Sequence, residues 1–84
     1  MIKVLFFGRL RESLKQDSLS IEASLDLISI EKIRRYLTST YGKHWERELN
    51  QENLVVSLNQ TVVLPEAEVR DGDEVAFFPP MTGG

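Results

Sequence analysis

Only one stretch of this chain carries a helix-length apolar stripe, and it sits between runs that read as strands. Ile30, Ile33, Leu37 and Tyr41 recur at steps of three, four and four, which places them on one side of a helix. Ser29 stands where an N-cap belongs, Glu31 falls in the first turn, and Gly42 is positioned as a C′ stop. Trp45 and Leu49 continue the four-residue step, so a short second helix is expected to cap the core. A single long amphipathic helix has one apolar side, and that side needs one sheet face to cover.

The remaining segments supply the sheet. Residues 2–7 form a short apolar, aromatic and β-branched run that reads as a buried strand. Gly8 interrupts it, and residues 9–15 suit a short helix with Leu10 and Leu14 one turn apart. Residues 18–23 alternate, with Leu19, Ile21 and Ala23 on one face and Ser20 and Glu22 on the other. After the helix, Leu54, Val56 and Leu58 alternate with Val55 and Ser57. Asn59-Gln60 offers a two-residue hairpin turn, and residues 61–64 the returning strand, ended by Pro65. Asp71-Gly72 is a turn signal, and residues 74–78 form a final strand stopped by Pro79-Pro80.

The first and last strands are the most apolar, so they are expected side by side and parallel at the sheet centre. The expected fold is α+β: a β-grasp, with a mixed five-stranded sheet around one main helix. Residues 1–84 would form a single domain with a flexible tail over 79–84. The final strand would deliver that tail from the middle of the sheet.

Size and charge narrow the function. A chain of 84 residues buries little more than about 60% of its unfolded surface, enough for one modest core and no deep pocket. A self-contained enzyme is therefore not expected. Ten basic against thirteen acidic residues give a net charge of −3, which draws the chain to neither nucleic acid nor anionic membrane. The absence of cysteine excludes disulfides, thiolate metal sites and a cysteine nucleophile, and suits a cytoplasmic location. No targeting segment is visible, because the apolar opening is short and contains Lys3. No metal is expected: His44 is the single histidine, and Asp71, Asp73 and Glu74 lack calcium-loop spacing. Trp45 reads as core or cap.

The sequence closes on Pro79-Pro80-Met81-Thr82-Gly83-Gly84. One reading is a frayed terminus; two closing glycines arise by chance in roughly one chain in 200. The other is functional. The prolines end the strand and favour an extended path, and six residues reach at most about 20 Å. Without Cβ atoms, Gly83 and Gly84 can pass a narrow channel and present a carboxylate. Adenylation by ATP on a partner enzyme would activate that carboxylate toward sulfur or an amine, with no catalytic side chain from this chain.

The opening Met1–Phe7, the Arg11-Glu12 pair, Asn59-Gln60-Thr61, residues 71–80 and Thr82-Gly83-Gly84 together resemble the sulfur-carrier subunits of molybdopterin synthase. The resemblance implies a ubiquitin-like fold and a set of roles. Gly84 would be adenylated by a ubiquitin-activating-type adenylyltransferase, and ATP would be consumed there, with no cofactor bound permanently. A sulfur donor such as a cysteine desulfurase system would convert Gly84 to a thiocarboxylate. The tail (Pro79, Pro80, Met81, Thr82 and Gly83) would thread into the synthase large subunit. Sulfur would pass to cyclic pyranopterin monophosphate, with two carriers on a large-subunit dimer and the catalytic side chains on that subunit. Two rival readings stay open: a protein modifier or a carrier for thiamine or transfer-RNA thiolation, and a plain interaction domain with an incidental diglycine.

Strand alternation adds a docking surface independently. With Ile2, Val4 and Phe6 inward, Leu5 and Phe7 point outward; by the same logic Phe78 and Val62 do too. Phe7, Val62 and Phe78 are therefore expected as one exposed apolar patch beside the tail root, where the resemblance places the partner contacts. The alternative is cover by the protein's own loops. Arg11, with Arg9 and Lys15, either guides an acidic partner surface or is simply solvated.

Overall fold

A computed structural model describes residues 1–80. Among these residues the strands are β1 (Ile2–Phe6), β2 (Ser18–Ile21), β3 (Val55–Leu58), β4 (Thr61–Val63) and β5 (Glu74–Phe78). The helices are α1 (Gly8–Leu14), α2 (Ile30–Tyr41) and α3 (Lys43–Leu49), with a 3-10 turn at Leu25–Leu27. The strands form one mixed sheet of order β2-β1-β5-β3-β4. β1 and β5 run parallel at its centre, and every other neighbouring pair is antiparallel. This is the expected α+β arrangement, a ubiquitin-like β-grasp.

The helical stripe explains the main layer. The Ser29 hydroxyl accepts the Lys32 N–H at 3.2 Å, capping α2. Glu31 pairs with Arg34 and Arg35 one turn along. Ile30, Ile33 and Leu37 are buried against the sheet's inner face, formed by Ile2, Val4, Phe6, Ile21, Val56, Val75 and Phe77. Each such side chain contributes about 1.5–3 kcal/mol by leaving water. Gly42, at φ +95°, closes α2 and opens α3. Trp45 of α3 is buried and meets Phe6 edge-on at 5.3 Å. Leu10 and Leu14 of α1 are buried as well.

Four details depart from the sequence expectation. Tyr41 does not complete the buried stripe: as the last residue of α2 it is exposed and stacks on Trp45 at 4.2 Å. The second strand stops at Ile21, two residues early, and the chain turns into the 3-10 segment. β1 stops at Phe6, because Phe7 serves as the extended N-cap of α1, which starts at Gly8. Val69 is buried and its N–H bonds the Ile28 carbonyl at 2.9 Å, although nothing periodic surrounds it.

The hairpin turn matches its chemistry. Asn59 and Gln60 both adopt positive φ, 50° and 70°, as a type I′ turn requires. The Asn59 Nδ2 donates to Asp73 Oδ1 at 3.0 Å, and its Oδ1 accepts the Glu74 N–H at 2.9 Å. The β3–β4 hairpin is thereby tied to the start of β5.

Candidate functional site

The central position of β5 decides where the chain leaves the fold. The Phe7 N–H bonds the Phe77 carbonyl at 3.1 Å, carrying the β1–β5 ladder one step past β1. Pro79 has no N–H, so the ladder ends there. Gly8, at φ +57°, lies so close that an added Cβ would stand 3.1 Å from the Pro79 ring. The tail root is thus seated against the corner where β1 meets α1. Beside it opens a cavity of about 340 Å³ lined by Arg9, Leu10, Ser13, Glu48, Gln51 and Pro79. Pro80 is half-buried, while Met81, Thr82, Gly83 and Gly84 lie outside the described residues.

Register defines what flanks that root. On the outer face, Leu5 lies opposite Ala76, Ala76 opposite Ser57, and Ser57 opposite Val62. In the next row toward the tail, Phe78 lies opposite Val55. Phe7 and Phe78 stack face to face, with centroids 4.8 Å apart and planes 6° from parallel. Phe7 is 37% exposed and Val62 69%. Phe7 and Phe78 therefore touch, whereas Val62 shares their face but sits beyond β3, one row back, with Ser57 and Val55 between. Phe78 is half-buried rather than exposed as expected, because it stacks on Phe7; in the row behind it Ala76 and Ser57 are buried and Leu5 half-buried. Leu64, also bare, continues the outward alternation past Val62; that signal was readable in the sequence. The close approach of Gly8 to Pro79 had no sequence signal beyond the glycine itself.

Charged groups lie around rather than within the apolar surface. Arg11 is exposed on α1, 3.9 Å from the Asp17 carboxylate, a surface contact of little energetic weight. The Ser13 hydroxyl joins α1 to α3, donating to Glu48 at 2.9 Å and lying 3.2 Å from His44 Nε2. At the opposite end of β5, Asp71 pairs with the N-terminal ammonium, which holds its carboxyl below the usual range. Asp73 is held low by the Asn59 amide and by the Arg70 N–H that it accepts at 2.8 Å. These carboxylates serve turns and termini. Among the described residues no three His, Asp or Glu side chains are placed to share a metal ion. Nor is any helix among them long and apolar enough to cross a membrane.

The central strand thus ends in a proline pair beside a stacked, partly exposed phenylalanine pair. The ThiS family model matches residues 4–84. This chain belongs to the ThiS family. Two molybdopterin synthase sulfur carrier subunits, from Haemophilus influenzae and Escherichia coli, are each 40% identical to it over 84 residues, covering 100% of both chains. The resemblance drawn from the terminal motifs is borne out over the full length. Among solved structures, SAMP1 from Haloferax volcanii superposes with a TM-score of 0.77 at 20% identity, covering 99% of this chain and 98% of that one. The complex of subunits 1 and 2 of molybdopterin-converting factor from Helicobacter pylori contains a chain matching at 0.64 and 21%, covering 99% and 97%. These structural likenesses establish the shared fold.

Proposed function

We propose that this chain is a molybdopterin synthase sulfur carrier, with the carboxylate of Gly84 as the carrying group. The observation that carries the reading is the full-length 40% identity to two proteins of that name. The geometry supports it, because β5 releases Pro79-Pro80 from the sheet centre beside the Phe7–Phe78 stack.

The chemistry follows from an inert carboxylate. An adenylyltransferase of the ubiquitin-activating type joins it to AMP from ATP, releasing pyrophosphate. Hydrosulfide displaces AMP to leave a thiocarboxylate on Gly84 directly. When a desulfurase-type donor supplies a persulfide, the acyl disulfide first formed is split by a second thiol, which becomes the disulfide partner and leaves the thiocarboxylate. The large synthase subunit receives the tail and moves the sulfur to cyclic pyranopterin monophosphate, regenerating the carboxylate. Two sulfurs per dithiolene suit two carriers on a large-subunit dimer. The role of this chain is to dock through Phe7, Phe78 and Val62, with Arg11 at the margin, and to extend its tail. It keeps no resident cofactor and acts in the cytoplasm.

Reconstitution tests this with the carrier, large subunit, matched activating enzyme, ATP, sulfide and the pterin substrate. Deleting Gly83 and Gly84 is expected to abolish molybdopterin formation completely while leaving the thermal midpoint unchanged. Activity surviving the deletion would exclude the carrier role. Ladders of covalent conjugates on denaturing gels would instead indicate a protein modifier.

A further inference from the structure

On the carrier reading proposed above, the reach of the tail fixes what must stand around its root. Met81-Thr82-Gly83-Gly84 follow Pro80, and four residues span at most about 14 Å. For the Gly84 carboxylate to meet reacting groups inside the large subunit, the mouth of the receiving channel has to close on the tail root. Groups that share a wall with Pro79 are therefore pressed against that mouth.

One of those groups is a charge without a partner. Arg9 lines the tail-root cavity of about 340 Å³ together with Leu10 and Pro79. It is exposed, and among the described residues it makes no ion pair, although Glu12 follows it by three positions on α1. The acid on the same cavity is already satisfied: Glu48 accepts the Ser13 hydroxyl and the Gln51 amide, each at 2.9 Å. Arg11, the other cation of α1, stands 3.9 Å from Asp17. The cavity thus offers one unanswered positive charge and no unanswered negative one.

A solvated guanidinium needs no partner. Covered by another protein it loses water, and leaving it unpaired is costly. Its planar fork matches a carboxylate in two parallel hydrogen bonds. We infer that Arg9 pairs with an aspartate or glutamate at the mouth of the large subunit's tail channel. The Phe7–Phe78 stack supplies apolar contact area, and the pair sets the rotation at which the tail enters. A chain of net charge −3 is repelled by an acidic mouth in other orientations, so the contact selects this one.

Calorimetry of the unmodified full chain with the large subunit tests it, at about 50 mM and about 300 mM salt. Arg9→Gln should bind about tenfold more weakly, and Arg9→Glu about tenfold more weakly again, because two acids then meet. Wild-type affinity should fall more steeply with salt than that of Arg9→Gln. Both variants should keep the wild-type thermal midpoint, since the side chain is exposed. Wild-type binding by Arg9→Gln would overturn the inference. Arg9→Glu binding no worse than Arg9→Gln would overturn the acidic chemistry of the mouth, as would equal salt dependence. Phe78→Asp separates the two levels: if it loses binding while the Arg9 variants do not, the pair alone fails, and if it too binds normally, the docking surface itself fails.

Discussion

The two faces of the sheet are built from the same strands, yet only one is covered. On β1 and β5, Ile2, Val4, Phe6, Val75 and Phe77 point inward and are buried under the helices. Their outward neighbours near the tail, Leu5, Phe7, Ala76 and Phe78, are nearly as apolar; Phe7 is exposed, Leu5 and Phe78 are half-buried, and the small Ala76 is buried between them. A sheet with one solvated face ordinarily alternates apolar in and polar out. Here that rule holds fully only at the far end, where Lys3, Ser20 and Glu74 lie outward; nearer the tail Ser18 and Ser57 alternate with Leu5, Ala76 and Val62. The inner face therefore accounts for folding, and the outer apolar half, which ends at the tail root, is the surface proposed above to meet the large subunit.

Substitutions on opposite faces should separate these roles. Phe77→Ala removes a buried ring and should cost about 3–5 kcal/mol of stability, measured by urea denaturation. Phe78→Asp, one residue along but outward, should cost folding only about 1 kcal/mol. It should weaken binding to the large subunit by about 2 kcal/mol or more, roughly 30-fold by calorimetry. Equal destabilisation by the two would erase the distinction between the faces. Val62→Thr, across β3 from the Phe7–Phe78 stack, should cost binding only about 0.5 kcal/mol, as a rim position does. A larger loss would move the centre of the docking surface toward β4.

The smallest effect concerns the polar end. Asp71 and Asp73 have lowered carboxyl pKa values in the folded chain. Their contribution is fully present above the unfolded carboxylate value and is lost as pH falls through the folded one. The thermal midpoint should hold between about pH 7 and 5 and decline below about pH 4. Asp73→Ala, which frees Asn59 and the Arg70 N–H, should flatten that decline and, because both bonds are solvent-screened, cost only about 0.3 kcal/mol at neutral pH. An unaltered acid profile would show that the Asn59–Asp73 tie carries no weight.

Periodicity made most of this fold legible. The Ile30-Ile33-Leu37 stripe, the Ser29 cap and the Asn59-Gln60 turn each rest on local chemistry, and each appears as read. The parallel centre followed from the apolarity of the two terminal strands. Tyr41 misled because a repeat says which side a residue faces, not whether anything lies beneath the last turn. Val69 escaped because a single valine between Glu68 and Arg70 has no period; it is buried by tertiary contacts alone. The same limit applies at the site. Alternation placed Phe7, Phe78 and Val62 on one face, but only the strand order showed that Ser57 and Val55 of β3 separate Val62 from the stack. The seat of Pro79 on Gly8 depends on a left-handed backbone that no sequence pattern announces.

The carrier chemistry itself is open to one direct observation. The intact mass of the chain would be measured after incubation with ATP, a matched activating enzyme and a sulfide source, followed by fragmentation to locate any change. Exchange of one oxygen for one sulfur, confined to Gly84, is the expected result. An unchanged mass, while a control carrier reacts under the same conditions, would contradict the sulfur-carrier role.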